Sequence, residues 1–459
     1  MNKEKRLGIK HYIAWVIVAA CILAMALRMA NVISLNDAQI TLIILLMASV
    51  LLVTEVIPLA LGAMTVPIAT ALTGVLSVNT AFSGFANENV ILFGAMFIIG
   101  GAMFRTGVAK TIGEMVVRCA GGSKQRLILY VMIVTAVLSS VMSNTGTTAV
   151  LLPVCMGIAD SAKMDRKYLL LPLAYMACLG GMITMVGTPP NMTVAALLQE
   201  YGYDGFGFLE FAYIGIPLSV LGCVYMFFVY HRKLKTEAGG IHVEIPEEDL
   251  LKIGGGGFKL DRRQKMSLII LIAVVIVMAT GTVNLTLGAV IGAMACVLLG
   301  LVNQKEAIED IDWTTMFLFS GMLPLADALE STGAGQIIAD QAIGIIGNHT
   351  SDPVILTVLF VIAAVLTQFM SNTATCALLA PIGLEIAVAL GASPKAVLIV
   401  IAAASSSSFA TPMAMPPNTL VMGPAKAKFT DFVKLGVPLV VVCYLACIVI
   451  VPMVWPFFP

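Results

Sequence analysis

The chain has 459 residues, 59% of them hydrophobic and 11% charged, with a mean hydropathy of +0.99 and no net charge. A soluble domain carries about 25% charged residues, so this is an integral membrane protein, and long apolar runs without alternation exclude an outer-membrane barrel. The neutral balance argues against a nucleic-acid partner; four histidines at segment ends or in loops and nine scattered cysteines without a CxxC argue against a metal centre or a disulfide framework.

Apolar runs and breakers predict helices over 12–29, 39–57, 59–77 and 89–106. The first follows Lys3, Lys5, Arg6 and Lys10 and contains Ala24-Met25-Ala26, the small-residue spacing of a signal cleavage site. It is read as a retained helix with a cytoplasmic N-terminus. The stretch 127–160 is too long and too interrupted for one ordinary span and carries Met142-Ser143-Asn144-Thr145 near its middle. It is read as a re-entrant helical hairpin with Ser-Asn-Thr at its tip. A helix over 168–199 follows, broken at Gly187-Thr188-Pro189-Pro190-Asn191, and then one over 210–230. Residues 231–265, rich in charge and glycine, read as a cytoplasmic linker.

The order then repeats. Helices over 266–283, 286–303 and 313–330 lead to a second hairpin, 352–388, with Met370-Ser371-Asn372-Thr373 at its tip. A second broken helix, 394–423, carries Met415-Pro416-Pro417-Asn418, and a last helix covers 434–455. Gly94-Ala95-Met96 through Arg105-Thr106-Gly107 matches Ser320-Gly321-Met322 through Ser331-Thr332-Gly333. The expected architecture is all-α and polytopic, with about 11 transmembrane helices plus two re-entrant hairpins. It divides into an N-terminal helix (1–38), a first repeat (39–230), the linker and a second repeat (266–459). An odd number of spans per half makes the repeats inverted.

Charge tests this threading independently. From an internal N-terminus, all 26 basic residues except Arg28 and Lys395 fall on the cytoplasmic side. The C-terminus is then extracytoplasmic, and the first hairpin enters from inside, the second from outside.

A helix breaks at membrane depth only where protein, water or a ligand completes its hydrogen bonding, because an unpaired backbone group costs several kcal/mol there. The tips, Ser143-Asn144-Thr145 and Ser371-Asn372-Thr373, offer hydroxyls, amides and freed helix N-termini to a carboxylate. The Pro-Pro pairs remove two amide donors each and expose carbonyls that suit Na+, with Asn191 and Asn418 able to bridge the broken ends. Ser139 and Thr367 stand one turn before the tips. Each half then has the makings of an oxygen cage, Ser139, Ser143, Asn144 and Gly187 in the first, Thr367, Asn372, Ala414 and the Met370 carbonyl in the second. Ser405 to Ser408 are read first as residues that permit close helix contact. Glu55, Asp327, Glu330 and Glu385 are read as capping or interfacial rather than as a proton relay, with proton coupling or a hydroxyl partner left open for Asp327.

At these residues the chain resembles the divalent-anion/sodium symporter family of di- and tricarboxylate transporters, over nearly its whole length. The likeness rests on the two Ser-Asn-Thr motifs, Gly187 to Asn191, Pro416-Pro417-Asn418 with Gly423-Pro424 behind it, and the run Phe432 to Pro438. It implies that Ser143, Asn144, Thr145, Ser371, Asn372 and Thr373 contact substrate carboxylates, with Thr188, Pro189 and Pro416 beside them. It also implies Na+ next to each tip and a homodimer in which the hairpins and broken helices move as an elevator. Met415, where the first copy has Thr188, departs from the family's usual hydroxyl. The expectation is a secondary active transporter in the cytoplasmic membrane, moving a C4-dicarboxylate such as succinate, malate or fumarate inward with Na+. A sodium-independent exchanger and a carrier of citrate or another oxyanion stay open. An intramembrane protease would need paired intramembrane Asp residues or a Ser/His pair, and neither is present, so no enzyme is expected.

Overall fold

The computed structural model describes residues 3–108, 111–112, 124–161, 164–237, 260–280, 282–346 and 352–458, and every regular element among them is helical. Most of the expected linker, 238–259, lies outside the described residues, as do Lys110, Arg118 and Lys163 of the charge pattern. Seven helices are long and apolar enough to cross a membrane, and six apolar ones are shorter.

The first half runs α1 (Lys3–Met29), α2 (Asp37–Thr54), α3 (Leu59–Leu72), the short α4 (Val78–Ala81), α5 (Glu88–Arg105), α6 (Lys124–Ser139), α7 (Asn144–Ser161), α8 (Lys167–Gly181), α9 (Pro189–Glu200) and α10 (Ala212–Glu237). The second runs α11 (Arg262–Thr280), α12 (Leu285–Leu298), α13 (Gln304–Glu309), α14 (Trp313–Thr332), α15 (Ala334–Ile346), α16 (Asp352–Leu366), α17 (Asn372–Leu390), α18 (Pro394–Ser405), α19 (Pro416–Met422) and α20 (Phe429–Val454). Helix α3 stops at Leu72 rather than at residue 77, and α4, α13 and α15 lie where loops are expected from the sequence. These three are too short or too exposed to leave an apolar run. Helix α15 starts immediately after Gly333, whose left-handed backbone (φ 72°) ends α14 and turns the chain onto α17.

Packing between the halves is reciprocal. Helix α3 packs on α14 of the other half, and α12 packs on α5. Helix α9 packs on α17 and α18, and its counterpart α19 packs on α7 and α8. Contacts in which i meets j and j meets i are what a two-fold relation between halves requires.

At the centre lie α8 and α18. Tyr168 to Gly181 and Ala396 to Ser405 are buried along their whole lengths, which is why both helices read as apolar on every face. Each is clasped by the hairpin of its own half, α6 and α7 on α8, α16 and α17 on α18. Glycine permits the closest approach of the last helices. A Cβ at Gly215 would strike the Met182 backbone, and one at Gly436 the Phe409 backbone. These glycines occupy the same place in Phe211-to-Pro217 and Phe432-to-Pro438, so each holds a final helix against the unwound stretch of its own half.

Two ion pairs complete the pattern. Lys167 Nζ lies 3.0 Å from Asp431 Oδ2, and Lys395 Nζ lies 3.3 Å from Glu210 Oε1. In each, the lysine opens the broken helix of one half and the acid lies at the start of the final helix of the other, Asp431 in its first turn and Glu210 just before it. Lys395 also sits over the Phe206 ring at 5.4 Å, and Trp455 Nε1 donates to Glu210 at 2.8 Å. Glu210 thus neutralises Lys395, one of the two basic residues that the charge pattern leaves off the cytoplasmic side.

Candidate functional site

The breaks are built by local chemistry. Prolines fill the first two positions of α9 and α19, where their missing N–H groups cost nothing, and hold Thr188 and Met415 extended (φ −143° and −155°). Helix α8 has already ended at Gly181 and α18 at Ser405. The asparagines behind the prolines bridge the gaps. Asn191 Nδ2 donates to Met182 O (3.3 Å) and Thr184 O (2.8 Å), and Asn418 Nδ2 to Ser408 O (2.9 Å) and Thr411 O (2.9 Å).

The hairpins are pinned to these breaks by equivalent bonds. Ser139 Oγ donates to Ala177 O and Thr367 Oγ1 to Ser405 O, both at 2.6 Å. Thr184 Oγ1 donates to Ser140 O, and Thr411 Oγ1 to Gln368 O. The duplication therefore extends to individual hydrogen bonds.

At the tips, Ser143 Oγ accepts from Gly146 N and Ser371 Oγ from Ala374 N, each at 3.2 Å. A hydroxyl that caps a helix this way keeps its proton free to donate. Both tips line a single cavity of about 560 Å³: Ser143, Asn144 and Thr145 from one half, Ser371, Asn372 and Thr373 from the other, with Gly187, Pro189 and Pro416 between. Its charged lining residues, among those described, are the acids Glu309, Asp310 and Asp312. Asp310 is engaged by Arg105, whose Nε and Nη2 both donate to it at 2.9 Å. Thr314 and Thr315 add hydroxyls, and the rest of the wall is mostly apolar.

The two halves differ in how their oxygens meet. One atom of the Asn144 amide lies 2.8 Å from Ser139 Oγ, 2.9 Å from Ala177 O and 3.1 Å from Gly187 O. With nitrogen there, its two N–H groups face three acceptors; with oxygen there, four oxygens converge, an arrangement that a cation reconciles. The amide lies on Gly181, where a Cβ would collide with it. The matching stretch in the second half, Ser405 to Phe409, has no glycine. There Ser408 Oγ is the partner of Thr367 Oγ1 at 2.8 Å, and Asn372 Oδ1 turns to accept from Thr373 N at 2.9 Å.

Of the expected site residues, Ser139, Thr188, Thr367, Met370 and Ala414 are buried behind the cavity rather than lining it. Thr188 Oγ1 is among the buried polar atoms without a hydrogen-bond partner, and in the second half Met415 reaches the cavity. Three contributors escaped the sequence reading. Ala177 acts through its carbonyl, which no side chain announces. Ser405 and Ser408, read as packing residues, bond to Thr367; placing the interval from Ser143 to Ser371 on Ala177 leads directly to Ser405. Among the intramembrane acids, Glu55 caps α2 with a left-handed backbone (φ 50°), Glu330 is exposed in the last turn of α14, Asp327 is half-buried, and Glu385 Oε1 lies 2.9 Å from Tyr201 Oη.

Comparison with known proteins gives the family and the fold. The citrate transporter family model (CitMHS) matches residues 49–391 and 350–458. The transporter YfbS of Escherichia coli is 27% identical, covering 90% of this chain and 98% of its own. The sodium-dependent dicarboxylate transporter SdcS of Staphylococcus saprophyticus is 25% identical over 84% of this chain and 80% of its own. Among solved structures, MtrF of Neisseria gonorrhoeae shares the fold, with a TM-score of 0.60 at 15% identity, covering 84% of this chain and 83% of that one. A polytopic helical fold, two duplicated hairpin tips meeting in one cavity and a family match across most of its length identify this chain as a membrane transporter that belongs to the citrate transporter family.

Proposed function

We propose that this protein carries C4-dicarboxylates, such as succinate, malate and fumarate, inward across the cytoplasmic membrane together with Na+. The observation that carries the reading is the meeting of both Ser-Asn-Thr tips in a cavity whose charged lining residues are acidic. A dianion entering it meets no basic lining side chain among the described residues. It is held by the hydroxyls of Ser143, Thr145, Ser371 and Thr373 and by the N-terminal amides of α7 and α17. Bound cations supply the balancing charge. The oxygens around Asn144 form the first cation site, and those around Thr367, with Met370 and Asn372 close by in the chain and Ala414 just before the second Pro-Pro pair, form the second. Cation binding raises anion affinity, and by linkage the anion raises cation affinity equally.

In the cytoplasmic threading, the acidic rim of the cavity faces inward, so this is the inward-open form. The hairpins, broken helices, α10 and α20 travel as one body of an elevator against the remaining helices, within a homodimer. The sodium dependence and dicarboxylate substrate in the name of SdcS support this reading. The description of the family itself favours a second one, in which citrate is carried.

A ligand that binds the folded state raises its melting temperature. Succinate should therefore raise that of the purified protein in Na+ and much less in equal K+. Stabilisation by citrate alone would favour the second reading, and equal stabilisation by succinate in K+ would contradict Na+ coupling.

A further inference from the structure

The two tips are near-equivalent in sequence but not in what covers them. In the first half Gly146 follows Ser143-Asn144-Thr145, and the Phe104 ring lies where a Cβ on Gly146 would be. That Cβ would also stand only 2.8 Å from Ser143 Oγ, so the ring packs on the same turn of backbone that presents the serine. The second tip has Ala374 in that place, and Glu330 matches Phe104 in the duplicated stretch, exposed in the last turn of α14. The pairing of Phe104 with Gly146 has no sequence equivalent at the second tip.

Phe104 does not belong to the hairpin that it covers. It is the penultimate residue of α5, a helix that packs on α12 and α14, and its ring lines the cavity together with Ser143, Asn144 and Thr145. A rigid apolar ring beside the first tip offers an anion no donor and takes up the flank next to the serine. We propose that Phe104, seated on Gly146, sets the upper size of the transported anion: it closes the flank of the first carboxylate site and excludes a third carboxylate from it. Phe104 is a specificity-determining residue in this account, which rests on the dicarboxylate reading above.

The test is uptake into proteoliposomes of succinate, citrate and the unhydroxylated tricarboxylate tricarballylate, by wild type, Phe104→Ala, Phe104→Leu and Gly146→Ala. Pocket shape typically discriminates by about 10- to 200-fold. Phe104→Ala should raise the ratio of tricarballylate to succinate uptake at least tenfold, about the lower end of that range. Phe104→Leu, which keeps most of the apolar volume, should raise it less, and Gly146→Ala, which forces the ring farther over the site, should lower it. A ratio unchanged in both Phe104 variants, each purified as folded protein, would overturn the inference. Wild type that prefers citrate to succinate would overturn the dicarboxylate reading instead. The shift of preference between wild type and variant still reports on Phe104 in that case, so the two failures are separate.

Discussion

At the scale of single residues, one asparagine amide carries the greatest share of the argument. Asn144 joins the hairpin to the broken helix through the Ala177 and Gly187 carbonyls and meets Ser139 within the hairpin, and Gly181 makes room for it. A hydrogen bond or oxygen contact to a charged partner contributes about 1.5–3 kcal/mol. Asn144→Ala should therefore raise the Na+ concentration for half-maximal uptake at least about tenfold while leaving folded protein, and Gly181→Ala should mimic it by displacing the amide. A Na+ response unchanged in both would remove the first cation site from the account. In the second half the hydroxyl pair takes this place. Ser408→Ala should weaken the Na+ response, whereas Val437→Ala, on the exposed side of the last helix, should not. Much of this was legible in the sequence because the groups are side chains of breaker motifs at repeated spacing. The Ala177 carbonyl was not, since the chemistry of a backbone oxygen depends on where a helix unwinds. Nor was the seat of Phe104 on Gly146, which joins residues about forty positions apart on different helices.

Among the elements, the broken helices decide whether the site exists at all. Each is held open by one asparagine that serves two carbonyls, and a buried polar group left without a partner costs about 1–3 kcal/mol. Asn191→Ala and Asn418→Ala should each lower the melting temperature and abolish ligand-induced stabilisation; a variant that melts and binds like wild type would show that the bridge is dispensable. Gly215→Ala and Gly436→Ala should each destabilise by about 1–3 kcal/mol, because overpacking at a backbone contact cannot relax by rotating a side chain. Thermal melting of the purified variants checks this. The long helices, both tips and both breaks can be read from apolar length and Pro-Pro-Asn. Helices α13 and α15 cannot, since α13 spans six residues and α15 alternates apolar and polar positions that only α14, α17 and α2 make sense of.

For the molecule as a whole, symmetry is the organising fact. Helix packing, the bonds that pin the hairpins, the bridging asparagines and the two inter-half ion pairs all occur twice. Charge reversal at Lys395→Glu should destabilise the protein by about 1 kcal/mol, and adding Glu210→Lys should restore most of it. A double variant no better than the single one would deny the pair its role in joining the halves. Where the symmetry fails, at Gly181 against the serines, at Thr188 against Met415 and at Phe104 against Glu330, the two ends of the site become chemically distinct. An anion with two carboxylates can then be bound in one orientation. The central claim is that two neutral tips hold one dianion whose charge is balanced by Na+. It is tested most directly by radiolabelled succinate uptake into proteoliposomes under an inward Na+ gradient, against equal K+ and against succinate-preloaded vesicles. The account predicts accumulation driven by the Na+ gradient without preloading; uptake that requires preloading and ignores Na+ would contradict it.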